Sequence, residues 1–104
     1  MIKTTKAGLH MTFENGFTIS VQFGAGNYSS NRSMRISDMF EGKVPPADSV
    51  EIAIWDKNND WFNFGSDEVK GWVSTEDLPL WFTVTKQATN LAHLKTLIEL
   101  TELN

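Results

Sequence analysis

The sequence predicts an α+β domain: mainly an antiparallel sheet of two hairpins plus further short strands, with a C-terminal amphipathic helix. Three patterns carry this expectation. Leu9, Met11 and Phe13, and then Phe17, Ile19, Val21 and Phe23, alternate with polar residues on either side of Asn15-Gly16. Such alternation marks half-buried strands, and Asn-Gly is the strongest short hairpin signal. Val50, Ile52 and Ile54 repeat the alternation and are followed by an aromatic run at 61–64. From Asn90 onward, Leu91, Leu94, Leu97, Ile98 and Leu100 recur at helical spacing, which describes one apolar stripe.

The register of the first hairpin follows from facing. A two-residue loop would put Phe13 and Phe17 on opposite faces. A three-residue loop, Glu14-Asn15-Gly16, pairs Phe13 with Phe17, Met11 with Ile19 and Leu9 with Val21, so all the apolar side chains share one face. A one-residue slip would expose a whole row, so the longer loop is expected, with Gly16 left-handed in a bulge. In the second hairpin, pairing Ile54 with Phe62 and Ile52 with Phe64 keeps a core row together. It also sets Trp55 opposite Trp61 on the other face, a favourable cross-strand pair.

Residues 69–73 read as a further short strand weakened by Gly71. Ser74 to Asp77 resemble a helix start, but Pro79 lies too deep for a helix that begins there. Leu80, Phe82 and Val84 alternate with Trp81, Thr83 and Thr85, so residues 80–86 are expected to be a strand after a single turn, with a kinked helix as the alternative. The last helix, about residues 90–103, takes Thr89 or Asn90 as its cap, and Leu103 could extend its stripe to a partner subunit.

All 104 residues fit a single domain. Four tryptophans and seven phenylalanines supply a large apolar payload. The net charge of −4 argues against nonspecific binding to nucleic acid or to an anionic membrane, since both need a basic face. Without cysteine there is no disulfide, thiolate nucleophile or zinc-thiolate site. No apolar run reaches membrane-spanning length and no signal-peptide core follows the N-terminus. A cytoplasmic protein that binds neither nucleic acid directly nor membrane is expected.

Residues 24–48 form a long connection with little pattern, and connections of that kind are often functional. Met34, Ile36, Met39 and Phe40 suggest that part of it docks, and Pro45-Pro46 ends it. It also holds both arginines of the chain, Arg32 and Arg35; every other cation is a lysine. Gly24 and Gly26 let backbone amides approach an anion. Asn27, Ser29, Ser30 and Asn31 offer hydrogen bonds, Tyr28 a stacking face and Arg32 a fork suited to phosphate or carboxylate. Together they make a kit for a small anionic, nucleotide-like ligand. They do not make a phosphate loop, because no third glycine in dinucleotide spacing and no Gly-Lys-Ser/Thr ending is present. The alternative is a Gly-Asn-rich turn with solvated arginines. Trp55 and Trp61 are the candidates for interface or stacking residues.

Other motifs are weaker. Asp56, Asn58 and Asp60, with Asp67, imitate a calcium loop, but Trp61 stands where its glycine belongs and a strand precedes it, so no metal is expected. His10 and His93 lack a nucleophile or carboxylate at catalytic spacing. No catalytic residue or cofactor is expected, and the chain reads as a non-enzymatic binding protein.

The run from Met11 to Gly24, with Gly26, Asn27, Tyr28, Asn31 and Arg32 after it, resembles a small phage-encoded protein family of unassigned function. Ile52 to Asp56 and Val69 to Ser74 are similar to its later segments, whereas the tail from Leu80 departs from it. The resemblance implies expression in a bacterial host. It also implies a role as a host-defence antagonist that sequesters a nucleotide signal as a homo-oligomer. The alternatives are an inhibitor that blocks a host effector with an acidic, tryptophan-bearing surface, and a phage structural component.

Overall fold

The computed structural model describes residues 1–24, 27–35 and 46–103. Gly26 and the docking residues Ile36, Met39 and Phe40 lie outside the described residues. The chain forms β1 (Ile2–Thr5), β2 (Gly8–Thr12), β3 (Thr18–Gln22), β4 (Ser49–Trp55) and β5 (Lys70–Ser74), then helices α1 (Leu78–Gln87) and α2 (Leu91–Leu100). The strands make one antiparallel sheet in the order β1-β2-β3-β4-β5. This is the expected α+β arrangement, though β1 and the first of the two helices were not anticipated.

The first hairpin has the register that facing requires. Leu9 pairs with Val21 and Met11 with Ile19. The Phe13 N–H donates to the Phe17 carbonyl at 2.9 Å, and Gly16 closes the turn at φ +89°. The apolar row continues into β4, where Ile19 pairs with Ile54 and Val21 with Ile52. The helices cover this face, and Ile19, Ile52, Ile54, Trp81, Val84 and Leu94 are enclosed in the shared core. Burying each such side chain contributes about 1.5–3 kcal/mol.

The second hairpin is shorter than its alternation implied. Trp55 and Trp61 form a bridge and stack with ring centroids 4.8 Å apart, and the Phe62 N–H donates to the Ile54 carbonyl at 2.7 Å. The chain then leaves the sheet. Asn63 Oδ1 accepts from the Gly65 N–H at 2.7 Å, Gly65 adopts φ +128°, and the Phe64 N–H donates to Asp67. Phe64 packs edge-on against Phe62 and Trp81 instead of opposing Ile52. The partner of Ile52 is Lys70 of β5.

Residues 80–86 are helical, which corrects the strand expectation. Starting at Leu78 rather than Ser74 puts Pro79 in the first turn, where its missing N–H costs no helical hydrogen bond. Trp81, Val84, Thr85 and Ala88 then fall on one buried face. The Thr85 hydroxyl donates to the Trp81 carbonyl at 2.7 Å, so a strand-favouring residue is accommodated inside the helix.

Asn90 caps α2, its side chain accepting from the His93 N–H at 2.8 Å. The helix closes in a Schellman turn. Glu102 takes φ +58°, its N–H donates to Glu99, and the Leu103 N–H donates to Ile98. That turn folds Leu103 into the core of its own chain rather than toward a partner, and leaves Leu100 exposed. Among the described residues no helix is long and apolar enough to cross a membrane.

Candidate ligand-binding cleft

The sheet face opposite the helices carries two aromatic groups. At one end His10 meets Trp55 edge-on at 5.1 Å, and Trp55 stacks on Trp61. The expected tryptophan pair is therefore on the non-core face, with His10 packed beside it. At the other end, Tyr28, Arg32 and Trp72 come together around the turn that follows β3.

That turn builds itself from its own polar side chains. Gly24 adopts φ +96°, and its N–H donates to Ser29 Oγ at 3.1 Å and also to Asn31 Oδ1. The Ser29 hydroxyl donates to Asn31 Oδ1 at 2.8 Å, and Asn27 Nδ2 donates to the Phe23 carbonyl at 2.9 Å. Ser29 and Asn31 are buried. Gly24, Asn27 and Asn31 thus shape the turn with groups that the sequence reading offered to a ligand.

The turn is fastened across β4 and β5. Ser30 Oγ accepts from the N–H groups of Asp48 and Ser49 at 3.0 and 3.3 Å. Glu51 Oε2 accepts from the Tyr28 N–H at 3.0 Å, and the Tyr28 carbonyl accepts from the Trp72 N–H at 2.9 Å. Val50 pairs with Val73 and Ile52 with Lys70, so Glu51 stands against two residues, Gly71 and Trp72. This is a β-bulge, a device that re-aims a side chain. Trp72 takes φ +57° and is 59% exposed. Left-handed backbone costs an L-residue about 1–2 kcal/mol, and a bulky side chain rarely adopts it.

Arg32 Cζ lies 4.8 Å from the centre of the Tyr28 ring, and the Tyr28 and Trp72 rings are tilted against each other at 6.4 Å. Beside them opens a cleft of about 410 Å³ lined by Ser29, Ser30, Arg32, Ser33 and Trp72. Arg32 is permanently charged, and the Ser30 oxygen already holds two backbone donors, leaving its hydroxyl proton to give. The cleft therefore combines a cationic fork, a hydroxyl donor and two ring faces.

Of the residues singled out from sequence, Arg32 and Tyr28 meet here. Arg35 is exposed and does not line the cleft, and Trp55 and Trp61 belong to the other aromatic group. Ser30 joins Arg32 and Tyr28 at the cleft, whereas Trp72 and Ser33 were missed. The available signal was Gly71 inside a strand pattern, which marks a bulge or a close backbone approach.

The aspartates of the calcium-like run serve their turns. Asp56 Oδ1 accepts from the N–H groups of Asn58 and Asp60, and Asp67 Oδ1 from those of Glu68 and Val69. Among the described residues no group of three acidic, histidine or cysteine side chains is arranged to hold a metal ion. No family model, curated protein or solved structure matches the chain.

Proposed function

We propose that this chain is a non-enzymatic binding protein that captures a small anionic ligand with a planar ring, a nucleotide being the chemical type that fits. Arg32 and the Ser30 hydroxyl would hold the phosphate, and Trp72 would stack on the base. One observation carries the reading: Trp72 keeps a costly left-handed backbone while remaining mostly exposed beside the Arg32 cleft. Strained backbone that contributes so little burial is characteristic of ligand clamps. In a phage setting, capture of this kind would withdraw a nucleotide signal from a bacterial host, and a homo-oligomer would multiply the sites.

Isothermal titration calorimetry with a panel of mononucleotides and cyclic dinucleotides tests this. Saturable binding by at least one of them, lost in Arg32→Ala and in Trp72→Gly, is expected. No heat with any of the panel, or equal affinity in both variants, would refute it. A second reading, an inhibitor of a host protein, is supported by the exposure of Tyr28, Trp61 and Trp72 on the open sheet face. Exposed aromatic anchors of this kind are typical interface hot spots. Stoichiometric capture of a host protein that survives Arg32→Ala but not Trp61→Ala would favour it.

A further inference from the structure

Asn15 is the one asparagine of the chain that a glycine follows. In such a pair the glycine nitrogen can attack the asparagine side-chain carbon, because no β-carbon blocks the approach and the glycine backbone turns freely. A bond forms between Gly16 N and Asn15 Cγ, and the Cγ–Nδ2 bond breaks. Nδ2 leaves as ammonia, taking up the proton that the Gly16 nitrogen gives up. Water then opens the cyclic imide. Addition at Cγ gives aspartate. Addition at the Asn15 main-chain carbonyl carbon gives isoaspartate, in which the main chain runs through the former side chain.

The fold engages both the leaving group and the nucleophile. Asn15 Nδ2 donates to the carbonyls of Thr85 and Ala88, both at 2.8 Å, and Oδ1 accepts from the Phe17 N–H at 3.1 Å. The Gly16 N–H, whose proton must leave before attack, donates to the Phe13 carbonyl at 3.0 Å. Gly16 is itself held at φ +89°, with the Lys57 side chain against the place a β-carbon would occupy. Attack would make Cγ tetrahedral and carry Nδ2 and Oδ1 away from these partners. The folded chain therefore opposes the reaction at both ends of the bond that must form.

We propose that Asn15 is a deamidation site gated by folding: the folded chain protects it, and the opened chain converts it to aspartate or isoaspartate. The conversion works against refolding. Either product lacks both donors to Thr85 and Ala88 and sets a carboxylate against the carbonyl oxygens at the end of α1. Isoaspartate also lengthens the backbone of a hairpin loop whose length sets the strand register. A chain that has reacted returns to a weaker fold and opens more often. The inference does not depend on the Arg32 cleft.

The test incubates the intact protein in buffer and in guanidinium chloride at the same mildly alkaline pH and temperature, and locates each conversion by peptide mass mapping. In denaturant, Asn15 should convert before any other asparagine. In buffer its conversion should be slower by roughly tenfold or more, because opening must precede reaction. The converted fraction, separated by its added negative charge, should unfold at a lower denaturant concentration than the parent. Equal rates in buffer and denaturant, earlier conversion of another asparagine in the denatured chain, or parental stability of the converted fraction would overturn the assignment.

Discussion

Gly71 is the seat of Tyr28: a Cβ built on Gly71 would collide with Tyr28 Cβ and crowd its ring. The two residues are far apart in the chain, and their contact lets the turn after β3 lie flat on β5. Gly71→Ala should push Tyr28 away and strain the bond from the Trp72 N–H to the Tyr28 carbonyl. Overpacking of this kind costs about 1–3 kcal/mol. Urea unfolding should show that loss, and nucleotide affinity should fall with it, because Arg32 rests on the displaced ring.

Trp72 separates stability from binding. Trp72→Ala keeps a Cβ in left-handed backbone, whereas Trp72→Gly relieves it. The glycine variant should therefore be the more stable of the two by about 1 kcal/mol. Both should lose the ligand, since both lack the ring. Paired denaturation and calorimetry check this. A glycine variant less stable than the alanine variant would show that Trp72 is not strained.

Asn15 joins the first hairpin to the end of α1. Its Nδ2 donates to the carbonyls of Thr85 and Ala88, both at 2.8 Å, while its Oδ1 accepts from the Phe17 N–H at 3.1 Å. It thereby satisfies carbonyls that a helix end leaves without partners. Asn15→Ala should cost about 2 kcal/mol. Asn15→Asp should cost more, because it removes both donors and sets a negative charge at the negative end of the helix dipole. Equilibrium denaturation of the two variants gives the order directly.

How much of this was legible depended on whether one pattern stood alone. Leu9 to Phe23 admits only one register that keeps its apolar row together, and Gly16 confirms the turn, so that hairpin could be read completely. In the tail, Val84 belongs to two patterns at once. It continues the alternation of Leu80 and Phe82, and it also continues the helical stripe of Trp81, Thr85 and Ala88. Threonine propensity favoured the strand, and burial of Trp81 decided for the helix. The cleft was half legible. Arginine content pointed to Arg32, but Asn27 and Asn31 spend their amides on hydrogen bonds within the turn itself, and the bulge that turns Trp72 outward depends on pairing across the sheet rather than on local residue type.

Arg32→Lys is the most specific test of how the cleft would hold an anion. Lysine keeps the charge but has neither the planar surface that rests on Tyr28 nor a fork for two oxygens. The side chain is exposed, so stability should change by less than about 0.5 kcal/mol. Nucleotide affinity should nevertheless fall roughly tenfold, the effect of losing one charge-assisted hydrogen bond. If Arg32 acted only through long-range charge, the lysine variant would bind like the parent and only Arg32→Ala would fail. Calorimetry of the three proteins at two salt concentrations separates the cases. A stacked, bidentate contact leaves the gap between arginine and lysine in place at high salt, whereas screening erases a purely Coulombic advantage.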